Sequence, residues 1–283
     1  MRREKLVAVF LAAAIVLGFA ASAGAVDGTI EINQAKVLAN GGFPYPVSAS
    51  GSYRLTGNLT VPGGTSGINV TAPTVTIDLN GFSISGPGGF SVAQVGITTT
   101  GTVENGTITG FGVGVKMGAG GIIRNVHADA NGVGIQAGGN SLIQGCTANN
   151  TTLPSYAIVC SGMCAISGNT ANGNAGIGID CGSGCAISGN TANANAVAGI
   201  QCEGSGCQIS SNTTNSNTFA GIVCEGSGCL ITYNTIDNNT GDGISAADGT
   251  TAYGWNVLNG DAGIKNGTSM AGKNTNSCGG TAC

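Results

Sequence analysis

Three carboxylates are the groups in this chain whose type and spacing suit chemistry. Asp180 precedes Cys181, while Glu203 and Glu225 each follow a cysteine in one hexapeptide, Cys-Glu-Gly-Ser-Gly-Cys. If the segments carrying them stack as parallel strands, residues one repeat apart become neighbours at about 4.8 Å. Carboxylates that close repel, so one holds its proton to higher pH or a hard cation such as calcium joins them. Two carboxylates about 5–9.5 Å apart can also flank a glycosidic bond as acid and base. Asp180, Glu203 and Glu225 are therefore the candidate catalytic or calcium-binding residues. No basic residue is expected beside them, because Lys116 falls three coils before Asp180 and Lys265 two coils after Glu225.

Two aromatic residues form a second candidate site. Tyr233 and Trp255 precede the asparagine of consecutive repeats, where earlier repeats have Gly168, Gly189 and Ser211. Turned outward they would make a two-ring platform for a sugar face; turned inward they would fill the core. The lone histidine, His127, lies near Arg124 and Asp129 but has no Ser or Cys nucleophile beside it in sequence. One histidine also makes a poor copper site.

The element that must position these groups is a repeat. Ala157-Ile-Val-Cys-Ser-Gly-Met-Cys-Ala-Ile-Ser-Gly-Asn-Thr returns from Gly178, Gly199 and Gly221, placing Ile158, Ile179, Ile200 and Ile222 at intervals of 21 or 22 residues. A repeat this short is one coil of a solenoid, and stacking the coils buries a continuous core. The frame extends through Ile68, Ile97, Val115, Ile135, Ile244 and Ile264, which predicts about ten coils of three short strands each. Asn105, Asn125, Asn169, Asn190, Asn212, Asn234 and Asn256 are read as one turn column, in which Asn tolerates a left-handed backbone and stacked amides bond along the axis. Cys146 takes that position in its own coil.

Cysteines point to an oxidising compartment. Eight of the eleven form short-range pairs, Cys160 with Cys164, Cys181 with Cys185, Cys202 with Cys207 and Cys224 with Cys229. Disulfides are the preferred reading and zinc the rival. Cys278 and Cys283 are a further pair, leaving Cys146 over. Residues 1–25 have the layout of a secretory signal peptide, with Arg2, Arg3 and Lys5 before an apolar run and small residues at Ala23 and Ala25. Residues 26–66 are expected to form an N-terminal cap with a helix over Glu31–Asn40, burying Ile32, Ala35, Leu38 and Ala39. The β-helix follows over 67–266 and a loose tail over 267–283. After signal removal no membrane span is expected. Only six basic residues face twelve acidic ones beyond residue 25, which excludes a nucleic-acid partner for want of a basic stripe.

The runs Ser50-Gly-Ser-Tyr-Arg-Leu-Thr-Gly-Asn-Leu-Thr-Val-Pro and Val75-Thr-Ile-Asp-Leu-Asn-Gly-Phe-Ser-Ile-Ser-Gly, with the later Ile-Ser-Gly-Asn-Thr coils, carry a family likeness. In them the chain resembles bacterial exported right-handed parallel β-helix proteins of the pectin-lyase-like class. The resemblance implies an all-β, single-stranded parallel β-helix in the periplasm or outside the cell. It does not imply one activity, because the class includes polysaccharide lyases, hydrolases, epimerases, copper-associated proteins and adhesins. Sparse charge and a missing acid-base pair on the expected strand favour a non-catalytic surface, envelope or matrix protein with a polysaccharide or envelope glycan as partner and no required cofactor. The alternatives are a polysaccharide lyase or glycoside hydrolase, and a periplasmic metal-handling accessory protein.

Overall fold

The computed structural model describes residues 28–88, 91, 93–265, 268–269, 276–278 and 281–282. The expected signal peptide and the Cys278–Cys283 pairing lie outside the described residues or depend on residues that do. Within them the chain is a right-handed solenoid with three strand positions per coil, collected into sheets of fourteen, eleven and five strands. Neighbouring strands run parallel, apart from the final pair Ser277–Cys278 and Thr281–Ala282. Coil n thus hydrogen-bonds to coil n+1 along its whole contour.

Register follows the repeat. Ile179 pairs with Ile200 and Ile200 with Ile222 in the eleven-stranded sheet, carrying Cys181, Cys202 and Cys224 into one column. Ile187, Ile209 and Ile231 do the same in the fourteen-stranded sheet. These side chains are fully buried, and each buried isoleucine contributes roughly 1.5–3 kcal/mol by leaving water. A glycine precedes the leading isoleucine for a steric reason: a Cβ on Gly199 would lie 2.8 Å from both the Asn217 amide nitrogen and the Gly221 carbonyl oxygen.

The eleven-stranded sheet begins earlier than the expected ten coils. Tyr45–Val47 pairs with Ile68–Val70, so segments assigned to the cap already carry coil strands. The helix is shorter than expected, Gln34–Ala39, with the Asn33 side chain accepting the Lys36 N–H at its start. Val37 enters the core and Leu38 is 60% exposed, the reverse of the expected face, because Ile32 belongs to the preceding strand Thr29–Ile32 and does not start the helical pattern.

All four expected short-range cysteine pairs are disulfide-bonded and buried, and zinc is not the reading the structure supports. Cys146 is buried without a disulfide, and burial pushes its thiol up to about 11, so it stays protonated.

The asparagine column is two columns. Asn169, Asn190, Asn212, Asn234 and Asn256 form a buried ladder in which each side-chain amide donates to the next Asn Oδ1; the Asn190 and Asn212 pair, for instance, are 2.9 Å apart. Asn105 and Asn125 lie one position earlier, exposed and left-handed, in register with Gly145, Gly168 and Gly189. The left-handed backbone belongs to that outer column, and the buried ladder has ordinary φ. Cys146 does occupy the ladder position, its N–H donating to Asn169 Oδ1 at 2.9 Å. A second buried ladder, Asn174, Asn195, Asn217, Asn239 and Asp261, guards the next corner. Nothing in the sequence reading anticipated it, although its members recur at the same interval.

Candidate functional site

Strand alternation sends one side chain per coil out of the eleven-stranded sheet, and register stacks Val159, Asp180, Gln201, Val223, Ser245 and Lys265 in that order. Glu203 and Glu225 sit just beyond the strand ends, their N–H groups donating to the Cys181 and Cys202 carbonyls of the preceding coils at 2.9 Å. The three acids of the sequence analysis thus share one edge of one face.

Their environments differ. Asp180 is only 2% exposed, and its Oδ1 accepts no hydrogen bond. Burial first, then the charges of Glu203 and Glu225, raise its carboxyl to about 7 against the weaker opposing effect of the Cys181 backbone bond. Close by is Tyr156, which the sequence reading missed and whose ring packs on Ile177, Ala198, Ala220 and Val223. Tyr156 belongs to the coil before Asp180 and Glu203 to the coil after, yet the phenol donates to Glu203 Oε1 at 3.0 Å, so the ring spans the intervening coil. Burial and that hydrogen bond, with the surrounding carboxylates, raise the phenol to about 12. Gln201 donates to Glu225 Oε1 at 3.2 Å.

His, Cys, Asp and Glu are the side chains that could hold a metal ion. Among the described residues, the sets of three or more such side chains whose ligand atoms lie within 4.8 Å of one another are sulfur sets, Cys160, Cys164 and Cys181, and Cys202, Cys224 and Cys229. Glu203 and Glu225 are turned to Tyr156 and Gln201, so the acids do not converge.

Beside Glu225 a cleft of about 340 Å³ opens, lined by Phe219, Val223, Glu225, Ser245 and Lys265 among others. Lys265 stands two coils beyond Glu225, as the spacing predicts, and both line this one cleft. Phe219, 54% exposed, supplies an aromatic wall.

Tyr233 and Trp255 occupy the left-handed column, with φ of +58° and +56° where the earlier coils have Gly145, Gly168, Gly189 and Ser211. Both project outward, 59% and 43% exposed. Their rings stack on one another, with centroids 5.3 Å apart and planes 8° from parallel. The expected two-ring platform is therefore a stacked column, in which each ring covers one face of the other.

His127 makes a contact its sequence neighbours did not suggest. Its Nδ1 lies 3.0 Å from the Thr147 hydroxyl of the next coil, and that hydroxyl donates to Asp129 at 2.9 Å. The hydroxyl proton faces the carboxylate, so the histidine is not placed to remove it.

Residues 47–213 match the sequence model of a family described as "Right handed beta helix region". No curated protein sequence matches the chain. Among solved structures, the A-module of mannuronan C-5 epimerase AlgE4 from Azotobacter vinelandii is 14% identical, with 87% of this chain and 91% of that one covered at a TM-score of 0.39. The receptor binding domain of the siphovirus 9NA tailspike is 12% identical, with 78% and 51% covered at 0.45. The surface protein and adhesin PfbA of Streptococcus pneumoniae is 13% identical, with 86% and 92% covered at 0.37.

Proposed function

The chain belongs to the right-handed β-helix family, and from that premise we propose that it is an exported protein that binds glycan along its side without cleaving it. The observation that carries this reading is the outward pair Tyr233 and Trp255. A bulky residue in the left-handed region costs about 1–2 kcal/mol where glycine costs little. Neither ring fills the core, and their mutual stacking does no more than offset that strain. Strain kept at an exposed aromatic corner suits a binding role, and a sugar can stack on the free end face while the Trp255 indole N–H and Tyr233 hydroxyl offer polar contacts. Export is supported by the four buried disulfides, and no helix among the described residues is long and apolar enough to cross a membrane. The burial of Asp180 supports binding over cleavage, since a substrate oxygen could not reach it.

The test is retention in gels containing soluble polysaccharides. The parent protein should be retarded by at least one of them and a Tyr233→Ala, Trp255→Ala double variant should run freely; equal mobility of the two would remove the aromatic corner from the reading.

A second reading has its own observation. A carboxyl near 7 beside Glu203 and Glu225, with Lys265 in the adjoining cleft, is the kind of set a polysaccharide lyase or hydrolase uses. A screen of uronate-containing and neutral polysaccharides for unsaturated products or new reducing ends tests it, with a Glu203→Gln, Glu225→Gln variant as control.

A further inference from the structure

The third strand position of each coil carries a pattern that neither candidate site uses. Thr147, Thr170, Thr191 and Thr213 are joined in one parallel column that continues to Thr235. Two residues after each of the first four stands an asparagine: Asn149, Asn172, Asn193 and Asn215. The residue between is fully buried, Ala148, Ala171, Ala192 or Thr214, so both the threonine and the asparagine face outward. The result is a grid. Its rows lie about 4.8 Å apart along the axis, and the two positions within a row about 6.6 Å apart along the strand.

This grid is held rigid. Asn172 donates its N–H to Asn149 Oδ1, Asn193 to Asn172 Oδ1 and Asn215 to Asn193 Oδ1, at 2.7–2.8 Å. The side-chain oxygens of Asn149, Asn172 and Asn193 are thereby each fixed by the next coil. The two buried asparagine ladders run at the corners on either side, one position before and four after Thr170, Thr191 and Thr213, and the Thr147 row meets them through Cys146 and Thr151. The four rows contain no charged residue of their own; Asp129 borders the first, its carboxylate accepting from the Thr147 hydroxyl and the Asn149 N–H, and Asp237 lies beyond the last.

We propose that this face binds ice, through a layer of water ordered on the grid. A rigid, uncharged surface with one hydroxyl and one amide per row gains little from any single contact. It gains from many weak contacts made together, which requires a partner that repeats in both directions and is itself uncharged. Crystalline water meets these conditions: it is uncharged and repeats in both directions, and each threonine offers a methyl beside a hydroxyl that can take a place in its lattice. A dissolved sugar chain matches in one direction only, and the grid offers it no aromatic face. The inference is independent of the aromatic corner, which lies outside these four rows.

The experiment is slow freezing of the purified, disulfide-bonded chain, with its concentration measured in ice and in residual liquid, together with the freezing-point gap of single ice crystals. The parent should enter the ice and open a gap. Thr191→Tyr, which places a bulky ring in the middle of the grid, should lose both, and Thr191→Val, which removes only a hydroxyl, should lose them several-fold while melting like the parent. The Tyr233→Ala, Trp255→Ala variant should keep both activities, so a failure of glycan binding leaves this result readable. Exclusion of the parent from ice overturns the proposal, as does undiminished ice entry by Thr191→Tyr. Adsorption of the parent to an insoluble crystalline polysaccharide, lost in Thr191→Tyr and without any ice entry, overturns it in favour of that partner.

Discussion

The coils before Ala137 and those after Tyr156 hold their corners in different ways. In the earlier half one strand can run around a corner, as Thr102–Thr109 does, and the corners are filled by Leu79, Ile108, Phe111 and Val126. In the later half strands shorten to three residues at Ala165–Ser167, Ala186–Ser188 and Gln208–Ser210. The column that holds Thr99, Met117 and Ala137 becomes Cys160, Cys181, Cys202 and Cys224, and Val126 gives way to Cys146 and then the asparagine ladder. Apolar filling tolerates adjustment, whereas disulfides and amide ladders fix a corner at a defined angle. Asp180, Glu203, Glu225, Tyr233 and Trp255 all stand on the pinned half. The candidate groups are thus mounted where the scaffold yields least.

The largest expected break in that contrast is Asn212→Ala. The Asn212 side chain accepts from the Asn190 N–H and amide and donates to Ile187 O and Asn234 Oδ1, all buried. Leaving those partners unmatched should cost about 3 kcal/mol or more in urea unfolding, against about 0.5–1.5 kcal/mol for Ile123→Val in the earlier half. Equal costs would mean the ladder is no stiffer than apolar packing. Next comes the paired replacement Cys202→Ala, Cys207→Ala. Opening a loop this short should cost about 2 kcal/mol, with faster amide exchange confined to coils near Cys202; a uniform change along the solenoid would contradict local pinning.

Asp180→Asn sharpens the comparison by pH. The folded carboxyl titrates at about 7, above its ordinary value of 3.8, so the folded state holds more protons than the unfolded state between those values. Stability associated with that proton is present below pH 4 and is lost as pH rises through 7. The Asn variant should therefore lose this decline and melt higher than the parent above pH 7. A parent melting temperature flat from pH 4 to 8 would show that Asp180 is not the buried acid described. The smallest effect is expected for Tyr233→Gly, in which relief of the left-handed strain and loss of the ring stack offset one another to within about 1 kcal/mol, although glycan retention should fall.

The inner columns were legible in the sequence because a solenoid writes its core as a period: Ile158, Ile179, Ile200 and Ile222, with the cysteine pairs, could only stack. Asn105 and Asn125 were misplaced by one residue because the column changes from Val126 and Cys146 to asparagine in mid-solenoid, and an outer asparagine there mimics an inner one. Tyr156 and Phe219 escaped for the opposite reason. Each occurs once in its column, and a residue that does not recur carries no periodic signal, so only the stacking of coils shows that Tyr156 reaches Glu203 and that Phe219 walls the cleft beside Glu225.

The corner between paired cysteines has three residues in Cys181–Cys185 and four in Cys202–Cys207, yet the Cα atoms of each pair are 6.5 Å apart. An added residue there is absorbed entirely by the outer bend, and the first residue of the longer bends is Glu203 or Glu225. Such a corner behaves as a socket: length and side chain can be varied on one rung while the rungs above and below keep their alignment, so new surface chemistry can be installed coil by coil, by nature or by an engineer, without renegotiating the interior.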